Sequence, residues 1–175
     1  MMPVAKSNRK SPWPIRILGI DPGTRATGYG LIDKVGEQVH FVSCGVIRTS
    51  SKLPLPERLK DIHDGISEVI VKHHPERAAV EDVFMSKNPS SALKLGHARG
   101  VLILAAMQHN LPIAEYSPRL IKQAVAGYGQ ASKAQVQQMV RILLRLSSPP
   151  SHDAADALAV ALCYANHCNP AGLIL

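Results

Sequence analysis

The stretch 15–34, IRILGIDPGTRATGYGLIDK, constrains this chain more than any other. An apolar run over 15–21 ends at an acid, Asp21. Pro22, Gly23 and Gly28 then punctuate a turn, and 28–34 resumes as a second strand. Residues 38–48 continue with partial alternation, so the first third of the chain predicts an antiparallel meander. The remaining two thirds must pack on that sheet. Pro54 and Pro56 open a helix to about His74, with Leu59, Ile62, Ile66, Val69 and Ile70 at helical period. Residues 78–83 predict a short strand, and 89–109 a helix with Leu93, Ala98, Leu102 and Ala105 on its apolar side. Residues 112–116 predict the last strand. Three helices come after it, near 118–126, 132–146 and 152–166, the middle one opened by a Ser132–Gln135 capping box. The order βββαβαβααα predicts an α/β domain, a mixed five-stranded sheet flanked by helices. With 175 residues, no internal repeat and no linker, one core suffices. The domain spans 15–168, between a basic flexible arm (1–14) and a short tail (169–175).

Charge narrows the function. Twenty Lys and Arg against thirteen Asp and Glu give a net +7. Such an excess points to a polyanion, nucleic acid first, with a merely basic soluble protein as the alternative. The three cysteines form no CxxC pair, which argues against a disulfide framework or zinc cage and fits a reducing cytoplasm. Cys163 reads as core. A metal role for His167 and Cys168 is the weaker alternative to a structural one. No apolar run reaches the roughly 18 residues of a membrane span, and 1–14 lacks the apolar stretch of a signal peptide.

Four acids stand where a metal site would need them. Asp21 closes the first strand before a glycine turn, at the sheet edge where open α/β folds place ligands; a turn-capping Asp is the alternative. Glu81 lies in an apolar strand, where a bare buried charge is costly; an ion-paired strand residue is the alternative. Asp82 must face the other way, because strand side chains alternate, and reads as a surface or capping acid. Asp153 and Asp156, in SHDAADALAVAL, share one helix face at i, i+3. They are also ordinary first-turn acids, with Ser151 as a cap. The rest of that helix is apolar and its first turn is rich in alanine, so it must dock closely on the sheet. Four carboxylates in one cleft repel one another. Hard divalent cations relieve this, and Mg²⁺ keeps positions open for phosphate oxygens. Two such ions, about 3.5–4 Å apart, stabilise both oxygens of a phosphodiester displacement.

GIDPGTRATGYGLID, VEDVFMSKNPSSALKLGHARGV, GYGQASKAQVQQMV and SHDAADALAVAL together resemble the RuvC Holliday-junction resolvases of the RNase H-like superfamily, over about residues 15–168. The resemblance implies an RNase H-like fold and a homodimer that nicks two opposed strands of four-way junction DNA, leaving 5′-phosphate and 3′-hydroxyl ends. It implies Mg²⁺, with Mn²⁺ as a substitute, and work beside the RuvA–RuvB branch-migration complex. The family's metal-binding acids carry over to Asp21, Glu81, Asp153 and Asp156. Some relatives have a His near the first acid of the last helix, and His152 precedes Asp153 here. Phe84 would stack on an unpaired base; a core Phe is the alternative. Lys122 and Lys133 match family positions at the phosphate backbone, against the alternative of solvated lysines. Lys87, Arg99 and Arg119 are lesser candidates. Three rival functions remain: an actin-like or sugar-kinase ATPase, for which one domain is too short; a junction binder without cleavage; and a nuclease for RNA–DNA hybrids or other branched structures.

Overall fold

The computed structural model describes residues 14–82 and 88–168. Its elements run β1 (Ile15–Asp21), β2 (Ala26–Val35), β3 (Gln38–Arg48), α1 (Leu55–His73), β4 (Arg77–Glu81), α2 (Pro89–Gln108), β5 (Ile113–Tyr116), α3 (Pro118–Ala126), α4 (Lys133–Leu143) and α5 (His152–His167). The predicted order is the observed one. The strands form a single sheet in the order β3-β2-β1-β4-β5. β1, β2 and β3 are the antiparallel meander, and β4 and β5 add in parallel.

Each face of the sheet carries its own core. Leu18, Ile20, Leu31, Ala78 and Val80 point to α1 and α2, against Ile62, Ile66, Ala98 and Leu102. Ile17, Ile32 and Ala79 point the other way, to α3, α4 and α5, and Cys163 is buried with them. α5 lies close against its face because the sheet offers glycines there. A Cβ on Gly19 would sit 2.1 Å from the Ala157 carbonyl oxygen, and one on Gly28 2.0 Å from that of Asp153. The alanines of α5 complete the fit, and Ala154, Ala155, Ala157 and Ala161 are all buried. Lys34, buried on β2, caps the far end of this helix: its ammonium donates to the carbonyls of Ala165 and Cys168, compensating the negative helix terminus.

Some boundaries differ from those expected. β2 begins at Ala26, and β4 ends at Glu81, so Glu81 is the terminal residue of its strand. α4 stops at Leu143, because Arg145 takes a left-handed φ of 53° and Leu146 N–H closes on the Arg141 carbonyl at 2.9 Å. The capping box of α4 has both bonds, Gln135 N–H to Ser132 Oγ at 3.2 Å and Ser132 N–H to Gln135 Oε1 at 2.8 Å. Ser151 makes no side-chain cap on α5. Leu93 is a correction: it is 67% exposed, because at 3.6 residues per turn it lies on the opposite face of α2 from Ala98, Leu102 and Ala105, which are fully buried. Among the described residues no helix is long and apolar enough to cross a membrane.

Candidate active site

A cavity of about 220 Å³ opens at the carboxyl end of β1 and β4, on the α5 face. Asp21, Glu81 and Asp156 bring carboxylates to its wall and Lys122 and Lys133 bring ammonium groups, over a floor that includes Ile121 and Ala159. Three elements far apart in sequence meet here for simple reasons. β1 and β4 are adjacent parallel strands, so Asp21 and Glu81 end side by side. Gly28, directly opposite Asp21 across the β1–β2 pair, lets the first turn of α5 approach.

The acids strain against one another. Burial pushes the Asp21 carboxyl up to about 8, and the charges of Glu81 and Asp156 add to the shift. Burial also raises Glu81, while its hydrogen bond with Asp21 pulls it back down. Asp21 therefore keeps its proton at neutral pH and donates it in a hydrogen bond to Glu81. Asp156 is met by Lys133, whose Nζ lies 3.3 Å from the carboxylate, and that charge in turn raises the lysine. A proton and an ammonium group thus neutralise a cluster of oxygen donors.

The remaining predicted residues fall in several places. Asp153 lies in the first turn of α5, three residues before Asp156, but it is not on the cavity wall; its carbonyl oxygen faces Gly28. His152 beside it is exposed. Among the described residues no three His, Cys, Asp or Glu side chains close on one point. Lys122 reaches the cavity and its charge acts on Glu81. Phe84 and Lys87 lie outside the described residues. Arg119 is exposed at the start of α3. Arg99 is not a free cation. It is largely buried, bridging Asp82 at 3.3 Å and Glu115, so it ties α2 to the ends of β4 and β5. Asp82 does face away from Glu81, as alternation requires.

Sequence reasoning misses the residues that hold the turn after Asp21. The Arg58 guanidinium, from α1, donates to the Thr24 carbonyl, with Nε at 3.1 Å, and the Thr49 hydroxyl donates to the same oxygen at 2.7 Å. Thr27 closes the turn from inside by donating to the Gly23 carbonyl at 2.7 Å. No local pattern marks these partners, which lie 34 and 25 residues from Thr24. A larger cleft, about 510 Å³, opens between residues 37–41 and 143–145 at the other end of the sheet. It carries one carboxylate, Glu37, and cannot assemble a metal site from that alone.

Residues 17–164 match the family described as Crossover junction endodeoxyribonuclease RuvC. The chain belongs to the RuvC family. A Crossover junction endodeoxyribonuclease RuvC from Syntrophotalea carbinolica is 58% identical over 154 residues, covering 88% of this chain and 95% of that one. The structure of Thermus thermophilus RuvC in complex with Holliday junction substrate superposes with a TM-score of 0.79 at 38% identity, covering 86% of this chain and 93% of that one. The yeast mitochondrial Holliday junction resolvase Ydc2 shares the fold, with a TM-score of 0.62 at 18% identity over 87% of this chain and 78% of its own. Membership makes the chain an endodeoxyribonuclease with an RNase H-like sheet. The ATPase alternative falls with it.

Proposed function

We propose that the chain resolves Holliday junctions, as a homodimer in which each protomer nicks one of two opposed strands and leaves 5′-phosphate and 3′-hydroxyl ends. The observation that carries this reading is the convergence of Asp21, Glu81 and Asp156 on one cavity flanked by Lys122 and Lys133. The donor set fits a hard divalent ion, because all three groups offer oxygen and Asp21 and Glu81 are held above their ordinary values by burial and by the negative charge of Asp156. Asp21, Glu81, Asp156 and Asp153 would hold Mg²⁺, two ions per site, with Mn²⁺ as a substitute. When bound, such ions activate the attacking water and stabilise the attacking and leaving oxygens. The residues of the chain do the rest. Asp21 would hold the ion as a carboxylate, its proton passing to solvent. Lys133 is released from Asp156 to a phosphate oxygen, and Lys122 holds the backbone on the same wall. Phe84, three residues beyond Glu81, is assigned to stacking on an unpaired base.

The dimer reading has support on α2. Leu93, Leu104 and Met107 are 67%, 52% and 56% exposed. They share one helical face with Gly96 and Gly100, where an added Cβ would meet nothing. Such an apolar, small-residue stripe suits a second copy. A cytoplasmic setting and work beside RuvA–RuvB complete the proposal.

The test is cleavage of an end-labelled synthetic four-way junction, beside linear duplex and an RNA–DNA hybrid. Paired symmetric nicks confined to the junction, lost with EDTA or with Asp21→Asn, are the expected result. Tight junction binding without nicks would replace this reading with a binding protein, and preferential cutting of the hybrid with a general nuclease.

A further inference from the structure

The register of the sheet places one more cation on the catalytic face. Gly28, opposite Asp21 on β1, pairs with Val46 on β3, and Ala26 pairs with Arg48. Gly28 abuts the first turn of α5, so its side of β2 is the face on which Asp21 and Glu81 meet Asp156. The packing of β3 fixes which of its residues share that face. Cys44 packs into the core beneath α5, while Ile47 packs into the core beneath α1, against Gly65. Strand side chains alternate, so Arg48 stands with Cys44 and Val46 on the α5 side. Arg48 is the last residue of β3 and is exposed. It has no ion-pair partner among the described residues. Arg58, from α1, is already engaged on the Thr24 carbonyl, while Arg25, in the turn after Asp21, is exposed beside Arg48 and its carbonyl accepts from Thr49 N–H.

Two strand spacings across and two residues along put the Arg48 Cα roughly 12 Å from that of Asp21. Lys122 and Lys133 come from α3 and α4, whereas Arg48 approaches from the β3 edge of the sheet. Phosphates advance about 3.4 Å per residue along the duplex axis and lie farther apart along the strand itself, so the gap is a few phosphates at most.

We propose that Arg48 grips the phosphate backbone of the cleaved strand within a few phosphates of the cut, across the acidic cavity from Lys122 and Lys133. This rests on the nuclease reading above. The contact fixes the strand's path over Asp21 and carries no base preference, because guanidinium–phosphate pairs read charge and geometry only.

Junction binding in EDTA, where no strand is cut, tests it through the dependence of Kd on salt. Each lost phosphate contact lowers the slope of log K against log[salt] by about 0.9. Arg48→Ala is expected to lower it by about one per bound protomer and to weaken binding several-fold at about 0.1 M salt, equally across junction sequences. Arg48→Lys is expected to keep the slope, because it keeps the charge that meets the phosphate. Lys72→Ala, an equal change of charge at the far end of α1, is expected to leave the slope unaltered. A wild-type slope in Arg48→Ala, or an equal drop in Lys72→Ala, would overturn the assignment. A wild type that does not bind the junction at all would instead overturn the nuclease reading on which it rests.

Discussion

At the scale of single residues, Asp21 sets the pH behaviour of the site. Its folded value, about 8, lies above the ordinary 3.8, so folding favours the protonated form. The stability this contributes is complete below about pH 4 and is lost as pH rises through 8. The metal-free protein should therefore lose on the order of a few kcal/mol over that range. Asp21→Asn should flatten the loss, which thermal unfolding in EDTA from pH 5 to 9 will measure; parallel curves would contradict the assignment. The same proton predicts the signature of metal binding. Because ligands must be deprotonated, Mg²⁺ should release about one proton per protomer near pH 7 and almost none at pH 9, read as the buffer dependence of the calorimetric enthalpy. Asp21 and Asp156 are legible in sequence because a strand-ending acid before a glycine turn, and an acid on an alanine-rich docked helix, each need a local reason. The Lys133–Asp156 pair is not legible, since it joins two helices whose approach depends on the whole core.

At the scale of elements, the approach of α5 to the meander decides whether the site forms. Gly28→Ala would drive a methyl group into the Asp153 carbonyl and lift the first turn of α5, which carries Asp153 and leads into Asp156. We expect a loss of about 1–3 kcal/mol, typical of overpacking, and a fall in Tm of about 3–10 °C. Metal affinity should fall as well, which a remote destabilisation would not cause. Ser132→Ala removes the capping box at the base of α4 and should cost about 1 kcal/mol in denaturant unfolding. The order of elements is readable because strand and helix periods differ and prolines, glycines and the capping box punctuate them. The end of α4 is not, because its apolar pattern continues through Leu144 and Leu146, while the left-handed Arg145 breaks the helix without a glycine. Periodicity alone assigns Leu93 inward. It belongs instead to the opposite face of α2, with Leu104 and Met107, which is exposed in the single chain.

At the scale of the molecule, an exposed apolar stripe and a half-neutralised acidic cavity both call for partners, a second protomer and a cation on a DNA strand. Leu104→Asp should convert a dimer to a monomer in sedimentation equilibrium while the fold survives, because Leu104 is 52% exposed in the single chain; a variant that stays dimeric would place the interface elsewhere. The central claim is that each protomer carries one complete cutting site built on Asp21. Mixed dimers of wild type and Asp21→Asn, presented with a cruciform extruded from supercoiled plasmid, test it most directly. One active site per dimer should leave nicked circles, whereas two wild-type sites should leave linear DNA. Linear product from mixed dimers, or any cutting by Asp21→Asn alone, would contradict the account.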